Sequence, residues 1–140
     1  MPIIEDYEKL REILKKSRTV AVVGISPNEY RPSYFVSKVV KRFGFRMYFV
    51  NPEYKGEEIL GEKVLGSLKE VPEKIDILDV FRRPEAIPAL ADEARKLGFE
   101  TFWLQPGTEN WEVIEALDRE GKTVVPGLCI KTCCHLLLRD

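Results

Sequence analysis

Hydrophobic and polar positions follow two periods along this chain, and the periods change places at glycines. Residues 19–26 read T-V-A-V-V-G-I-S, a nearly unbroken apolar run that stops at Gly24. A run of this kind predicts a strand covered on both faces, as in a parallel sheet, and the glycine permits the sharp turn that ends it. Ahead of it, residues 5–16 place Tyr7, Leu10, Ile13 and Leu14 on one helical face, which predicts a surface helix that serves packing. After it, Val36, Val39, Val40 and Phe43 predict a helix over 33–43, followed by Gly44 and a strand over 45–50. The same joint recurs as a helix over 84–97, Gly98 and a strand over 100–104, and as a helix over 110–120, Gly121 and a strand over 123–125. These glycines suit the left-handed position that closes a helix, Pro32 and Pro84 suit first helical turns, and Asn110 suits an N-cap.

Another apolar run over 75–81 predicts a central strand containing Asp76 and Asp79. Residues 52–73 carry Gly56, Gly61 and Gly66 with little periodicity, and predict extended pieces over 58–60 and 62–65 and a brief helix near 68–71. Residues 1–17 hold the N-terminal helix and residues 130–140 a C-terminal one. Strands alternating with helices of about a dozen residues predict right-handed crossovers. The expected fold class is α/β, a Rossmann-like three-layer fold with a mainly parallel sheet of about five strands. Residues 1–140 are expected to make one domain, because 140 residues at 44% hydrophobic suit a single core.

Charge narrows the partners. A net charge of -1 and a pI near 6.0 supply no global attraction to nucleic acid or to a membrane surface, so neither is expected and any anion site must be local. Acidic residues interrupt the apolar core that a signal peptide needs, and three cysteines confined to 129–134 make no disulfide framework. Both point to a reducing, cytoplasmic setting; a homodimer is the default oligomer.

In a sheet of this type, ligands bind beyond the carboxyl ends of the strands where the strand order reverses. Two loops define that crevice, 24–31 after the first strand and Phe81-Arg82-Arg83-Pro84 after the fourth. Gly24 suits a tight turn, Ser26 offers a hydroxyl and an amide, and the helix beginning near Ser33 offers the positive end of its dipole. The loop reads either as a pyrophosphate cradle or as an ordinary strand-to-helix turn, since Ser26 and Glu29 stand where a dinucleotide fingerprint wants glycine. Arg31, Arg82 and Arg83 bring three cations to the same end, to meet anionic oxygens or to pair with Asp79, Glu85 or Glu29. At the second strand's end, Asn51 replaces the carboxylate that holds a nicotinamide dinucleotide's ribose. Glu53 could substitute, whereas Lys55 favours a ribose bearing an extra phosphate, as in coenzyme A.

Cys129, Cys133, Cys134 and His135 lack the paired spacing of a structural zinc site, so no metal is expected and the cysteines read chiefly as small buried hydrophobes. Cys129, just after the last strand, is the best placed for thiol chemistry such as a mixed disulfide with coenzyme A. Trp103, Trp111 and Phe102 read as core or crevice wall. No catalytic constellation is evident, and His135 is the sole histidine.

With these residues in view, the chain resembles the small CoA-binding proteins of the CoA-binding-domain superfamily, whose fold is that of the N-terminal domain of the succinyl-CoA synthetase alpha subunit. The resemblance runs from about residue 17 to 131 and rests on V-A-V-V-G-I-S-P-N-E-Y-R-P-S (20–33), F-V-N-P-E-Y-K-G-E-E-I-L-G (49–61), I-D-I-L-D-V-F-R-R-P-E (75–85), F-W-L-Q-P-G (102–107) and C-I-K (129–131). It implies that coenzyme A or a CoA thioester is held at the carboxyl edge of the sheet. Gly24, Ile25, Ser26, Arg31, Pro32 and Ser33 fall on its phosphate loop. Asn51, Pro52 and Lys55 fall on the nucleotide-side loop, and Phe81, Arg82 and Arg83 on the loop facing it. Gly127-Leu128 before Cys129, and Pro106 after Gln105, depart from the family pattern. The expected function is a non-catalytic CoA-binding module or carrier. The alternatives are an NAD(H)-binding oxidoreductase or redox sensor, and a CoA-binding partner of an acyl-CoA ligase built from separate chains.

Overall fold

The computed structural model describes residues 6–138; the first residue of the expected N-terminal helix and the last two of the C-terminal one lie outside them. The chain forms helix α1 (Tyr7–Lys16), strand β1 (Thr19–Val23), helix α2 (Pro32–Lys41), strand β2 (Arg46–Val50), and the hairpin strands β3 (Glu58–Ile59) and β4 (Glu62–Lys63). There follow strand β5 (Ile77–Val80), helix α3 (Ile87–Leu97), strand β6 (Thr101–Leu104), helix α4 (Trp111–Arg119), strand β7 (Thr123–Val125) and helix α5 (Ile130–Leu137). Five strands make one parallel sheet in the order β2-β1-β5-β6-β7, the expected Rossmann-like α/β fold.

The uninterrupted apolar run of β1 follows from its place in this order. Its five residues are all buried, with β2 on one side, β5 on the other and helices over both faces. Successive side chains go to opposite cores: Val20 and Val22 join Leu10, Val36, Val40 and Ile130 from α1, α2 and α5, while Ala21 and Val23 join Ile87, Ala91 and Ile114 from α3 and α4. The chain leaves β1 for β2 on one side, then crosses back to β5 on the other. The carboxyl ends of β1 and β5 therefore flank the point where the strand order reverses.

Two boundaries and one burial differ from the sequence expectation. The strand expected over 75–81 is β5 and begins at Ile77, because Asp76 turns its carboxylate to the N–H groups of Arg18 and Thr19 at 2.7 and 3.1 Å and so anchors the entry to β1. The expected helix over 84–97 is a 3-10 turn over Pro84–Ala86 followed by α3, since Pro88 has no N–H to give the Pro84 carbonyl. Trp111 is 54% exposed at the start of α4, whereas Phe102 and Trp103 are core, with the Trp103 indole donating to the Leu128 carbonyl at 2.8 Å. Among the described residues no helix is long and apolar enough to cross a membrane.

Candidate functional site

The close approach of two loops builds the site. Gly24 continues the β1 ladder by donating to the Val50 carbonyl at 3.0 Å, and Phe81 donates to the Val23 carbonyl at 2.9 Å, so both loops leave the sheet together. Gly24 has φ +98°, and a Cβ there would lie 2.3 Å from the Phe81 carbonyl oxygen. Glycine is required at this joint for conformation and for space.

A cavity of about 670 Å³ opens above it, within the range of small-molecule sites. Of the residues expected from the sequence, Gly24, Ile25, Ser26, Arg31, Pro32 and Ser33 line one wall. Asn51, Phe81, Arg82 and Arg83 line the facing one. Pro52 and Lys55 are not among the lining residues; the Lys55 ammonium lies 3.5 Å from the Glu70 carboxylate.

Local hydrogen bonds refine several expected roles. The Ser26 N–H is taken by the Ser33 hydroxyl at 3.0 Å, and the Ser26 hydroxyl accepts the Asn28 N–H at 3.1 Å, so this serine shapes the loop. Asn51 is buried with its amide spent inside the protein: Nδ2 donates to the Ile25 carbonyl at 2.8 Å and Oδ1 accepts the Glu53 N–H at 3.0 Å. It ties the β2 loop to the glycine loop. Arg31, as N-cap of α2, makes no side-chain capping bond, and among the described residues Arg31, Arg82 and Arg83 form no ion pair. The salt bridges weighed for them with Asp79, Glu85 and Glu29 are not formed, which leaves three guanidinium groups available at the crevice.

Cys129 and Glu53, weighed from the sequence, do line the crevice, but sequence reasoning left out most of the other half of the wall. Gln105, Pro106, Gly107 and Thr108 after β6 line the crevice, as do Cys129, Lys131 and Thr132 at the start of α5. Phe35 and Val36 of α2, with Glu53 and Tyr54, complete it. The motifs F-W-L-Q-P-G and C-I-K pointed to these positions, but neither carries a phosphate-binding signature of its own. The cysteines separate by environment: Cys129 is half-buried at the crevice, while burial pushes the Cys133 thiol up to about 11 and the Cys134 thiol up to about 12. His135 is exposed and sets its ring edge-on to Phe43 at 5.6 Å between centroids.

A parallel sheet with a cationic crevice at its topological switch point defines a Rossmann-like α/β domain with a candidate ligand site. A family model described as a CoA binding domain matches residues 18–135, and the chain belongs to this CoA-binding domain family. It is 42% identical over 123 residues to the uncharacterized protein YneT of Bacillus subtilis, covering 88% of this chain and 90% of that protein. It is 26% identical to the ADP-forming acetate–CoA ligase I of Archaeoglobus fulgidus over 81% of this chain, a stretch that spans 18% of the ligase. A solved structure from Thermus thermophilus, cell-free ID.343, superposes with a TM-score of 0.91 at 34% identity, covering 95% of this chain and 99% of that one.

Proposed function

We propose that this chain binds coenzyme A, or a CoA thioester, at the carboxyl edge of its sheet, as a binding module or carrier rather than a self-sufficient catalyst. The observation that carries the reading is the convergence of Arg31, Arg82, Arg83 and Lys131 on one crevice, none of them paired with a carboxylate among the described residues. Free guanidinium groups grip phosphate oxygens by paired hydrogen bonds. Phe35 and Val36 give the same crevice an apolar side suited to the ligand's uncharged arm. Membership of the CoA-binding domain family supports the same ligand.

Titration calorimetry with coenzyme A, dephospho-CoA and NAD tests it. Coenzyme A binds tightest, and loss of the ribose phosphate weakens binding by at least about 1.5 kcal/mol, or roughly tenfold. Replacing Arg82 and Arg83 together by alanine removes most of that difference, while Lys55→Ala leaves it in place because Lys55 lies with Glu70 outside the crevice. Equal binding of all three ligands overturns the reading.

A second reading keeps the ligand and adds a partner. The stretch of Archaeoglobus fulgidus acetate–CoA ligase matched here is 18% of that enzyme, so this chain would serve as the CoA-holding part of a ligase assembled from separate polypeptides.

A further inference from the structure

Asp79 stands in the central strand and has no part in the site as described so far. It is fully buried, in register between Val22 of β1 and Trp103 of β6. Its Oδ1 accepts a hydrogen bond from the Gln105 amide nitrogen, while its Oδ2 is buried with no partner among the described residues. A buried carboxylate ordinarily gathers several donors or a cation, so an ionisable group held by one amide is a costly choice for the middle of a core.

Gln105 explains where that cost is directed. Its Oε1 accepts the N–H of Ile130, the first residue of α5, at 3.4 Å. That bond selects the amide orientation, because the reversed amide would set an NH₂ against the Ile130 N–H. Gln105 therefore offers its nitrogen to Asp79 whether the carboxyl is charged or neutral. Gln105 is also a lining residue of the crevice, itself only 3% exposed, beside the α5 turn that contributes Cys129, Lys131 and Thr132. Asp79, Gln105 and the first turn of α5 form one continuous connection from the centre of the sheet to the ligand wall.

Among the described residues no cation offsets the Asp79 charge. Gln105, just past the end of β6, is the polar group turned toward it, β1 supplies Val22, and α5 supplies Cys134, whose thiol burial pushes up to about 12. From α2, Val36 and Val40 enter the same core, and Ser37 is buried and uncharged. Burial, against the opposing Gln105 bond, leaves the Asp79 carboxyl raised from 3.8 to about 7.

We infer that Asp79 is a proton-linked positioning residue for the crevice: an anionic ligand seated against Gln105 drives a proton onto Asp79, so that ligand binding and proton uptake favour each other. The ligand's identity rests on the coenzyme A reading above; the coupling requires only an anion. A polyanion seated at this wall adds negative potential and removes water, and both disfavour the ionised carboxyl. By linkage the proton then strengthens ligand binding by the same factor.

The test is calorimetric titration with coenzyme A between about pH 6 and about pH 8.5, on the wild-type protein and on Asp79→Asn, in buffers of different ionisation enthalpy. Wild-type affinity falls about threefold across that window, the result of a half-unit rise in the Asp79 pKa on ligation, with net proton uptake. The ligand's own phosphates titrate equally against both proteins, so the slope missing from Asp79→Asn is the one assigned to Asp79. An equal slope in the variant overturns the inference. Should Asp79→Asn fail to fold, carbon NMR of the wild-type Asp79 carboxyl reads the same event: coenzyme A moves its resonance toward the protonated form near neutral pH, and an unmoved resonance overturns the coupling. Should coenzyme A bind at no pH, the coenzyme A reading fails by itself. The resonance is then followed with inorganic pyrophosphate, where movement supports the coupling and its absence overturns it.

Discussion

Gly24 concentrates the logic of the site in one residue. Its positive φ costs an L side chain about 1–2 kcal/mol, and the 2.3 Å approach of a Cβ to the Phe81 carbonyl adds a clash with backbone that has no rotamer in which to retreat. Gly24→Ala is expected to lower stability by at least about 2 kcal/mol and to abolish coenzyme A binding by parting the two loops, as urea unfolding and calorimetry would show. A variant that keeps both properties would place the crevice elsewhere. At this scale the sequence was legible where a residue type has few uses. A glycine closing an apolar run had to be a turn, and arginines after a buried strand had to end at its carboxyl edge. Asn51 and Ser26 were legible in place but not in role, because short polar side chains bond to backbone or to ligand with equal ease, and only the folded partners decide.

At the scale of elements, helix starts bind the site together. Asn110 caps α4 through its Oδ1 to the Val113 N–H at 3.2 Å, and its Nδ2 donates at 2.9 Å to the carbonyl of Pro84, next to Arg83. The cap thus also fixes the arginine loop. Asn110→Ala is expected to lower stability by about 1–2 kcal/mol, whereas Asn110→Asp keeps the cap and loses only the bond to Pro84. Thermal unfolding of the two variants side by side checks this; equal losses would mean the cap itself contributes little. The capping role was readable from Asn110 ahead of an apolar helical period, but the reach to Pro84 was not. It joins residues 26 apart that the sheet alone brings together.

For the molecule as a whole, Asp79 ties stability to pH. Its folded-state pKa is raised, so the folded protein binds this proton more tightly than the unfolded chain does. The contribution is therefore fully favourable below about pH 4, is lost as pH rises toward about 7, and stays lost above that. The full loss is on the order of 4 kcal/mol. Asp79→Asn removes the ionisation, so the variant gains on the wild type in urea unfolding as pH is raised from about 5 to about 8; parallel curves would show that Asp79 does not titrate in that range.

The sequence by itself determined the α/β alternation, the parallel sheet and the end of it at which the crevice opens. Those features are written in local periodicity and in glycines whose conformation admits few substitutes. Only the tertiary structure decided the wall made by Gln105 and the first turn of α5, the release of Lys55 to Glu70, and the burial of Asp79 with no cation beside it among the described residues. Each depends on which distant groups the strand order brings together, and a one-dimensional pattern does not carry that pairing.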